Sequence, residues 1–424
     1  MQGSDHRLLR GWYHSATALP STEGSAPGAR PRSRRQTALA LLLLVVTLWI
    51  VPVGAVGALA GLAGAGDSFN LVHWELTQLT GYALNRLSGT VVNREASNDQ
   101  VLRYFSLLRQ IQMAKTADPQ SERQAAALQA EAERLRPSVE ARFEDAVAQA
   151  ARNAGLAERL PIFAGVSFVW PPPAAGLTTP PHILIISPRD HIALESTQLL
   201  RSDLSAARAA QIEHDAEKSG KVSALVDQIG GLSAWPSIVD QDDSPLGVLQ
   251  TMAHEWMHAY LVFHPLGARY GQSGDLTLIN ETVANLVGRE LGSAAYASLG
   301  LPPPAAASPA QSASPTRINF NTTMHDLRLQ VDQLLAQGKI DEAEQRMNDT
   351  QKLLAANGYD IRRINQAYFA FYGSYGDSPQ ASSPVGGEIE TLRRQSPSLA
   401  AFVHRIQNVS SRADLDRLLQ MHGG

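Results

Sequence analysis

Apolar residues recur along much of this chain at the three- and four-residue spacing of a helix that packs one face against a core. In the first part of the chain, this pattern predicts one helix from Leu71 to Leu87, a second over Val101–Ala114 and a third over Ser121–Ala154. The third helix is expected to be interrupted near Pro137, because proline removes a backbone donor. The region 67–158 is therefore predicted to be helical.

Short aliphatic runs bounded by turn residues follow this region, and they predict strands. The predicted strands are Val166–Trp170, His182–Ser187, His191–Leu194, Ala224–Ile229 and Leu232–Val239. The second and third are expected to pair as a hairpin. The last two are expected to pair across Gly230-Gly231, although Pro236 makes the later arm an edge strand or a loop. Together they predict a small antiparallel sheet.

Helical spacing returns after the strands and continues to the end of the chain. The predicted segments are a buried helix around Pro245–Phe263, helices over Thr277–Leu291, Thr323–Ala336, Ile340–Ala356, Ile361–Tyr375 and Leu399–Leu419, and a Pro/Ala/Ser-rich linker over 301–316. The helices outnumber the strands, so the fold class is predicted to be α+β and predominantly helical.

One apolar segment is long enough to span a bilayer. No charged residue occurs from Gln36 to Gly66. Four arginines lie just before this stretch, at positions 30, 32, 34 and 35, whereas the next lysine or arginine is Arg86. The pattern predicts a transmembrane signal anchor over 37–65 that follows a disordered basic cytoplasmic tail over 1–36. The expected localisation is a single-pass cell-membrane protein whose later residues face outward, and a cleaved signal peptide is the alternative.

The amino-acid composition excludes several classes of function. The chain has 424 residues, 44% of them hydrophobic, so it is long enough for a sizeable core. Its net charge of −4 gives no sign of a nucleic-acid partner. It contains no cysteine, which excludes disulfides, thiolate metal ligands and cysteine nucleophiles.

His254–His258 (HEWMH) is the segment that indicates a chemistry. On a helix, two histidines four residues apart lie on one face, where both imidazoles can bind one Zn²⁺. The carboxylate of Glu255 lies beside them and is the candidate general base toward a water molecule. The alternative is a core helix whose histidines only form hydrogen bonds, but two histidines and a glutamate are costly to bury without a metal or ion partners.

A catalytic zinc site needs a third protein ligand, and three downstream residues are candidates. His264 would face away from the metal if the helix continues, since six residues correspond to about 240° of rotation. Asp275 lies in a polar, glycine-rich loop. Glu281 is expected on the inner face of the next helix, 23 residues after His258, and is the preferred ligand. An ordinary helix-surface carboxylate is the alternative for Glu281.

The segment Asn280–Ala284 (NETVA) resembles the second zinc motif, N-E-x-x-A, of the gluzincin peptidases, which include thermolysin-like enzymes and zinc aminopeptidases. The resemblance implies that His254, His258 and Glu281 bind zinc. It also implies an orienting role for the residue four positions after the ligand glutamate. An aspartate holds a zinc histidine there in the thermolysin-like branch, and here the residue is Asn285, a neutral acceptor.

The same resemblance implies a donor that stabilises the oxyanion of the tetrahedral intermediate. Tyrosines fill this role in several gluzincins, and Tyr368, Tyr372 and Tyr375 are candidates, although an aromatic stripe on a helix is more often core. The resemblance is stronger still to a bacterial group of membrane-linked aminopeptidase-like proteins, and it implies a peptide or protein substrate.

The sequence therefore predicts a zincin-like domain over 159–424 behind a transmembrane helix and a helical membrane-proximal region. The expected function is zinc-dependent hydrolysis of peptide bonds, with aminopeptidase action implied by the resemblance alone. The alternative is a non-catalytic, membrane-tethered protein of the cell envelope, either a zinc-stabilised scaffold or an interaction protein without metal.

Overall fold

A computed structural model describes residues 65–78, 96–115, 119–159, 167–241, 244–303 and 318–420. Within them the α-helices are α1 (Asn98–Lys115), α2 (Pro119–Asn153), α3 (Ala206–Glu217), α4 (Pro245–Leu261), α5 (Pro265–Ala268), α6 (Gly274–Leu299), α7 (Phe320–Ala336), α8 (Ile340–Ala356), α9 (Gln366–Tyr372), α10 (Val385–Gln395), α11 (Leu399–Ile406) and α12 (Arg412–Gln420). Residues 71–78 are also helical, and Ala65–Asp67 form a short 3-10 helix.

The strands are β1 (Glu158–Arg159), β2 (Ser167–Phe168), β3 (Ala175–Thr178), β4 (His182–Pro188), β5 (Ser196–Leu200), β6 (Val222–Gln228), β7 (Gly231–Leu232) and β8 (Ser237–Asp240). They form an antiparallel β1-β2 pair and two three-stranded sheets. One sheet has the order β5-β4-β6 and is antiparallel throughout. The other has the order β3-β8-β7, in which β3 runs parallel to β8 and β7 runs antiparallel to it.

The first predicted hairpin is confirmed in its first arm only. β4 turns back into β5, but the returning strand lies at Ser196–Leu200, so the predicted arm at His191–Leu194 is part of the loop. The second predicted hairpin is wrong, because β6 pairs with β4 and not with the residues after Gly231. Alternate residues of β6 pack in two separate clusters, Ala224 with Ile212 of α3 and Leu225 with Phe369 of α9, so both faces are covered.

The helix predictions are largely confirmed, with shifts at their ends. α1, α2, α7 and α8 lie where the pattern places them, but α2 continues through Pro137 and is not interrupted there. The aromatic helix α9 starts only at Gln366, where the Asn365 side chain accepts a hydrogen bond from the Tyr368 backbone N–H. The final predicted helix is divided into α11 and α12.

The prediction of a transmembrane helix is corrected by the described helices. Within the described ranges, no helix combines the length and apolar character that a membrane crossing requires. α4 is strongly apolar but has 17 residues, and its side chains pack in the protein core, whereas the longer α2 carries many charged residues. The predicted span 37–65 lies outside the described residues except for Ala65, and the tail 1–36 lies wholly outside them. The predicted single-pass membrane localisation depended on this helix, so that prediction is corrected as well.

One hydrophobic cluster joins the early helices to the helices that carry the zinc motif. Buried residues of α1 and α2, such as Leu107 and Phe143, belong to the same cluster as Met257 of α4 and Val287 of α6. A second cluster lies between the β5-β4-β6 sheet and α7–α9, and a third lies between that sheet and α3. Helices α4 and α6 are thus supported by the largest core of the described chain.

The two edges of the β3-β8-β7 sheet differ. Along the outer edge of β3, the backbone N–H of Leu177 donates to Glu140 Oε1 at 2.9 Å and that of Ala175 donates to Glu144 Oε1 at 3.3 Å. Both carboxylates come from α2, so this edge is closed to another strand. The opposite edge is β7, which pairs with β8 on one side only within the described residues.

Helices α4 and α6 approach each other closely because α6 presents glycines to α4. A Cβ atom built on Gly288 would lie 2.9 Å from both the Gln250 carbonyl oxygen and the His254 Cβ. One built on Gly292 would lie 2.5 Å from the Gln250 Cα. Real side chains do not tolerate such distances to backbone atoms, so these two glycines set the separation of the helices.

We expect Gly292→Ala to lower the free energy of unfolding by about 1–3 kcal/mol, because the new methyl group must push α6 away from the α4 backbone. Chemical denaturation followed by circular dichroism measures this change. The matched control is Gly387→Ala on the exposed side of α10, where a Cβ meets no atom within 4 Å. The control is expected to be neutral or stabilised by up to about 1 kcal/mol. Equal stability of Gly292→Ala and the control would contradict the account of close packing.

Candidate metal centre

The two motif histidines lie on the side of α4 that faces α6. The helix starts at Pro245, where the Ser244 hydroxyl accepts a hydrogen bond from the Gly247 backbone N–H at 3.0 Å. His254 and His258 follow one helical turn apart, and their rings meet edge to face with centroids 4.6 Å apart. Their Nε2 atoms lie 3.0 Å from each other. Two nitrogen ligands therefore converge on one point.

Glu281 of α6 completes a triangle of ligand atoms. Its Oε2 lies 3.6 Å from His254 Nε2 and 3.3 Å from His258 Nε2. This oxygen is buried and has no hydrogen-bond partner within the described residues. Ligands about 2.0–2.1 Å from a tetrahedral zinc lie about 3.3–3.4 Å from one another. The distances of 3.0, 3.3 and 3.6 Å among the three atoms therefore fit a single zinc ion, with one coordination position left open.

His258 and Glu281 are each oriented by a neighbouring polar side chain. Tyr270 donates its hydroxyl to Glu281 Oε1 at 2.6 Å, which leaves Oε2 directed at the histidines. His258 Nδ1 lies 2.7 Å from Asn280 Oδ1, so that nitrogen donates and Nε2 is left unprotonated in the neutral ring. Outer hydrogen bonds of this kind fix the tautomer and the direction of metal-binding groups. Asn285, the residue expected to orient a zinc histidine, donates its side-chain N–H to Asp377 Oδ1 at 3.1 Å.

Glu255 points into the same site but holds a different position. Within the described residues, His254, Glu255 and His258 have ligand atoms within 4.8 Å of one another. Glu281 is the better third ligand, because its unpartnered Oε2 lies within 3.6 Å of both Nε2 atoms. Glu255 instead faces the sheet, where a Cβ built on Gly231 would lie 2.4 Å from its Oε1. Its carboxylate thus lies between the histidines and the β7 edge.

Burial and neighbouring charges shift the pKa values of all four groups. Burial raises the pKa of Glu255 to about 8, and the nearby charge of Glu281 acts in the same direction. Burial lowers the pKa of His254 to about 4, and the charge on His258 lowers it further. Burial also disfavours the charged form of His258, but the negative charge of Glu281 outweighs this and raises the pKa to about 9. The reciprocal attraction holds the pKa of Glu281 low against its burial. Without metal, a His258–Glu281 ion pair therefore carries the proton.

The three candidate tyrosines differ in where they lie. The ring of Tyr375 lies 6.4 Å from that of His254, centroid to centroid, and burial together with the charges of Glu281 and Glu255 raises its pKa well above the ordinary value. Tyr368 is buried, and its hydroxyl accepts a hydrogen bond from Gln380 Nε2 at 3.0 Å. Tyr372 donates its hydroxyl to Asp227 Oδ2 at 2.9 Å. Tyr375 is thus the candidate nearest to the metal ligands, and the other two hydroxyls have partners elsewhere.

The other two candidates for a third ligand lie outside the triangle. His264 precedes α5, and its ring packs on Tyr260 with centroids 4.6 Å apart. Asp275 is exposed in the first turn of α6, whose start is capped by the Ser273 hydroxyl. The structure therefore brings Glu281, and not these residues, to the two histidines.

Two residues in the site were not predicted from the sequence. Tyr270 lies in the loop between α5 and α6, and 46% of it is exposed although its hydroxyl reaches Glu281. The sequence places Asn280 only as the first residue of the N-E-x-x-A motif, but in the structure it is buried and contacts His258. A helical wheel of α6 offered a signal for Asn280, since a buried amide beside a candidate ligand needs a partner. Tyr270 offered none, because loop geometry decides its direction.

Comparison of the chain with models of known protein families, with curated proteins and with solved structures found no match.

Zinc binding is expected to release at least one proton per ion at neutral pH. His258 is protonated in the metal-free chain below its pKa of about 9 and must lose that proton to bind the metal. The apparent zinc affinity should therefore rise with pH, by about tenfold per unit, and level off near pH 9. Chelator competition between about pH 6 and pH 8 measures the slope. In Glu255→Gln the part of the slope that is due to His258 should remain. If the zinc affinity of the parent did not change with pH, His258 would not be the group that releases the proton.

Proposed function

We propose that this chain is a zinc-dependent peptidase that hydrolyses peptide bonds. The observation that supports the proposal is the convergence of His254 Nε2, His258 Nε2 and the buried Glu281 Oε2 within 3.6 Å of one another, beside the side chain of Glu255. A purely structural zinc site uses four protein ligands, whereas three ligands and an adjacent base are the pattern of a hydrolytic site.

In this proposal the zinc, held by His254, His258 and Glu281, supplies Lewis acidity toward water and the scissile carbonyl. Glu255 accepts a proton from the attacking water and then donates it to the leaving amine nitrogen. Its raised pKa makes the ionised carboxylate a stronger proton acceptor than an ordinary glutamate. Tyr270 and Asn280 keep the ligands in place during both steps.

The sheet edge beside Glu255 suits an extended peptide. β7 has no strand on its outer side within the described residues, and Gly231 brings its backbone against the Glu255 carboxylate. The other edge of the same sheet is blocked by Glu140 and Glu144. We propose that the substrate backbone pairs with β7, which would bring a peptide carbonyl between the zinc ligands and Glu255.

Tyr375 is the proposed donor to the developing oxyanion. Its ring lies close to His254, and its pKa is raised, so the hydroxyl keeps its proton and can donate it in a hydrogen bond. We also propose aminopeptidase action, which depends on the gluzincin resemblance alone. Comparison of the cleavage products of unblocked and N-acetylated peptides distinguishes it from internal cleavage.

The decisive variant is Glu255→Gln in the full chain. We expect it to bind zinc as the parent does and to hydrolyse a peptide mixture at least about 100-fold more slowly, because the amide cannot accept the proton. Mass spectrometry of the digested mixture, with and without chelator, measures the activity.

The matched control is Glu290→Gln on α6, which removes a carboxylate that pairs with Arg393 outside the site. The control should cleave at the parent rate. Hydrolysis by Glu255→Gln at the parent rate would reject Glu255 as the base. A zinc-loaded parent that cleaves no peptide would reject the peptidase proposal and favour a non-catalytic zinc protein.

A further inference from the structure

We propose that Gly231 is a positioning residue for Glu255, and that its lack of a side chain lets the carboxylate lie directly against the sheet edge where the substrate pairs. This role rests on the proposed function and belongs to a residue of the sheet that no zinc motif includes. Gly231 is the first residue of β7 and is partly exposed.

The pairing of β7 with β8 shows which way the Gly231 backbone faces. The N–H of Asp240 donates to the Gly230 carbonyl at 2.9 Å, so these two residues form a hydrogen-bonded pair. Such pairs alternate with non-hydrogen-bonded pairs along an antiparallel ladder, and the next pair is Gly231 opposite Val239. The N–H and C=O of Gly231 therefore point away from β8, to the side where the described residues place no further strand.

The space that a side chain at position 231 needs is occupied by α4. A Cβ atom built on Gly231 would lie 2.8 Å from Thr251 Cγ2 and 3.0 Å from Glu255 Cδ, and closer still to Glu255 Oε1. Carbon atoms pack about 3.5–4.0 Å apart at their best separation. The Glu255 carboxylate therefore fills the place over the sheet that a β-carbon would take.

The loop after β7 holds the backbone of the same part of α4. Ser233 Oγ donates to the Glu255 carbonyl oxygen at 3.2 Å, and Glu255 is buried. The atoms nearest to a new methyl group are ends of side chains and not backbone atoms. Alanine at position 231 should therefore displace the Glu255 carboxylate and leave the fold in place.

The carboxylate and the edge groups of Gly231 lie in different directions. In a strand the backbone N–H and C=O lie in the plane of the sheet, whereas the β-carbon stands out of that plane. Alanine thus keeps the groups that pair with the substrate but moves the carboxylate by about 1 Å. A misplacement of this size can slow a reaction by about 100-fold. The expected effect is a fall in kcat with little change in KM.

The test compares the zinc-loaded, full-length parent with Gly231→Ala and Gly230→Ala, using one peptide that the parent cleaves. Gly231→Ala should lower kcat by about 10–100-fold and keep KM within about threefold of the parent value. Its zinc dissociation constant and its midpoint of chemical denaturation should match those of the parent. Gly230→Ala is the matched control, since a Cβ there meets no atom within 4 Å, and it should keep the parent kcat.

A second comparison shows whether Gly231 acts through Glu255. In a Glu255→Gln background the proton acceptor is already absent, so its position no longer matters. Adding Gly231→Ala to Glu255→Gln should therefore lower the residual kcat by less than about threefold, because the effects of residues that act as a unit do not add.

A Gly231→Ala protein with the parent kcat would overturn the inference. So would a fall in kcat accompanied by a similar rise in KM, a loss of zinc affinity or an unfolded protein, because the methyl group would then disturb β7 or the metal site as a whole. Equal slowing by Gly230→Ala, or losses from Gly231→Ala and Glu255→Gln that multiply, would overturn it as well. These results leave the proposed function standing, whereas a zinc-loaded parent that cleaves no peptide would end both.

Discussion

The site depends on the close approach of α4 and α6. Gly288 and Gly292 allow the backbones to come near enough for Glu281 to reach the two histidines, which α4 alone places one turn apart. A larger residue at either glycine would move the carboxylate away from the imidazoles. The shared core with α1 and α2 surrounds this contact with packed apolar side chains, so the helices have little room to separate.

The same packing buries four ionisable side chains, and their charges partly compensate one another. Two histidines and two glutamates are buried together, and burial alone would leave each of them neutral. Instead, His258 and Glu281 stabilise each other as an ion pair, and His254 and Glu255 take the neutral forms. A divalent cation would replace the single proton of the ion pair and would be held by Glu281 Oε2, the oxygen that faces both imidazoles. This is the set of donor groups that the proposed zinc site requires.

The local part of this site could be predicted from the sequence, and the non-local part could not. Helical spacing places His254 and His258 on one face, and a second helix with Glu281 on its inner face needs only a loop between them. Tyr270 reaches Glu281 from a loop, whose direction depends on packing that no short sequence pattern records. The prediction of the second hairpin was wrong for the same reason. β6 is covered on both faces and pairs with β4, not with the strand that follows it in the sequence. The parallel pairing of β3 with β8 has no local sequence signal.

X-ray absorption at the zinc edge of the zinc-loaded full chain tests the central claim most directly, since it counts the atoms around the metal. The account predicts two imidazole nitrogens and at least one carboxylate oxygen at about 2.0–2.1 Å in the parent, and one imidazole fewer in His258→Ala. A parent chain that takes up no zinc, or a zinc environment that His258→Ala leaves unchanged, would contradict it.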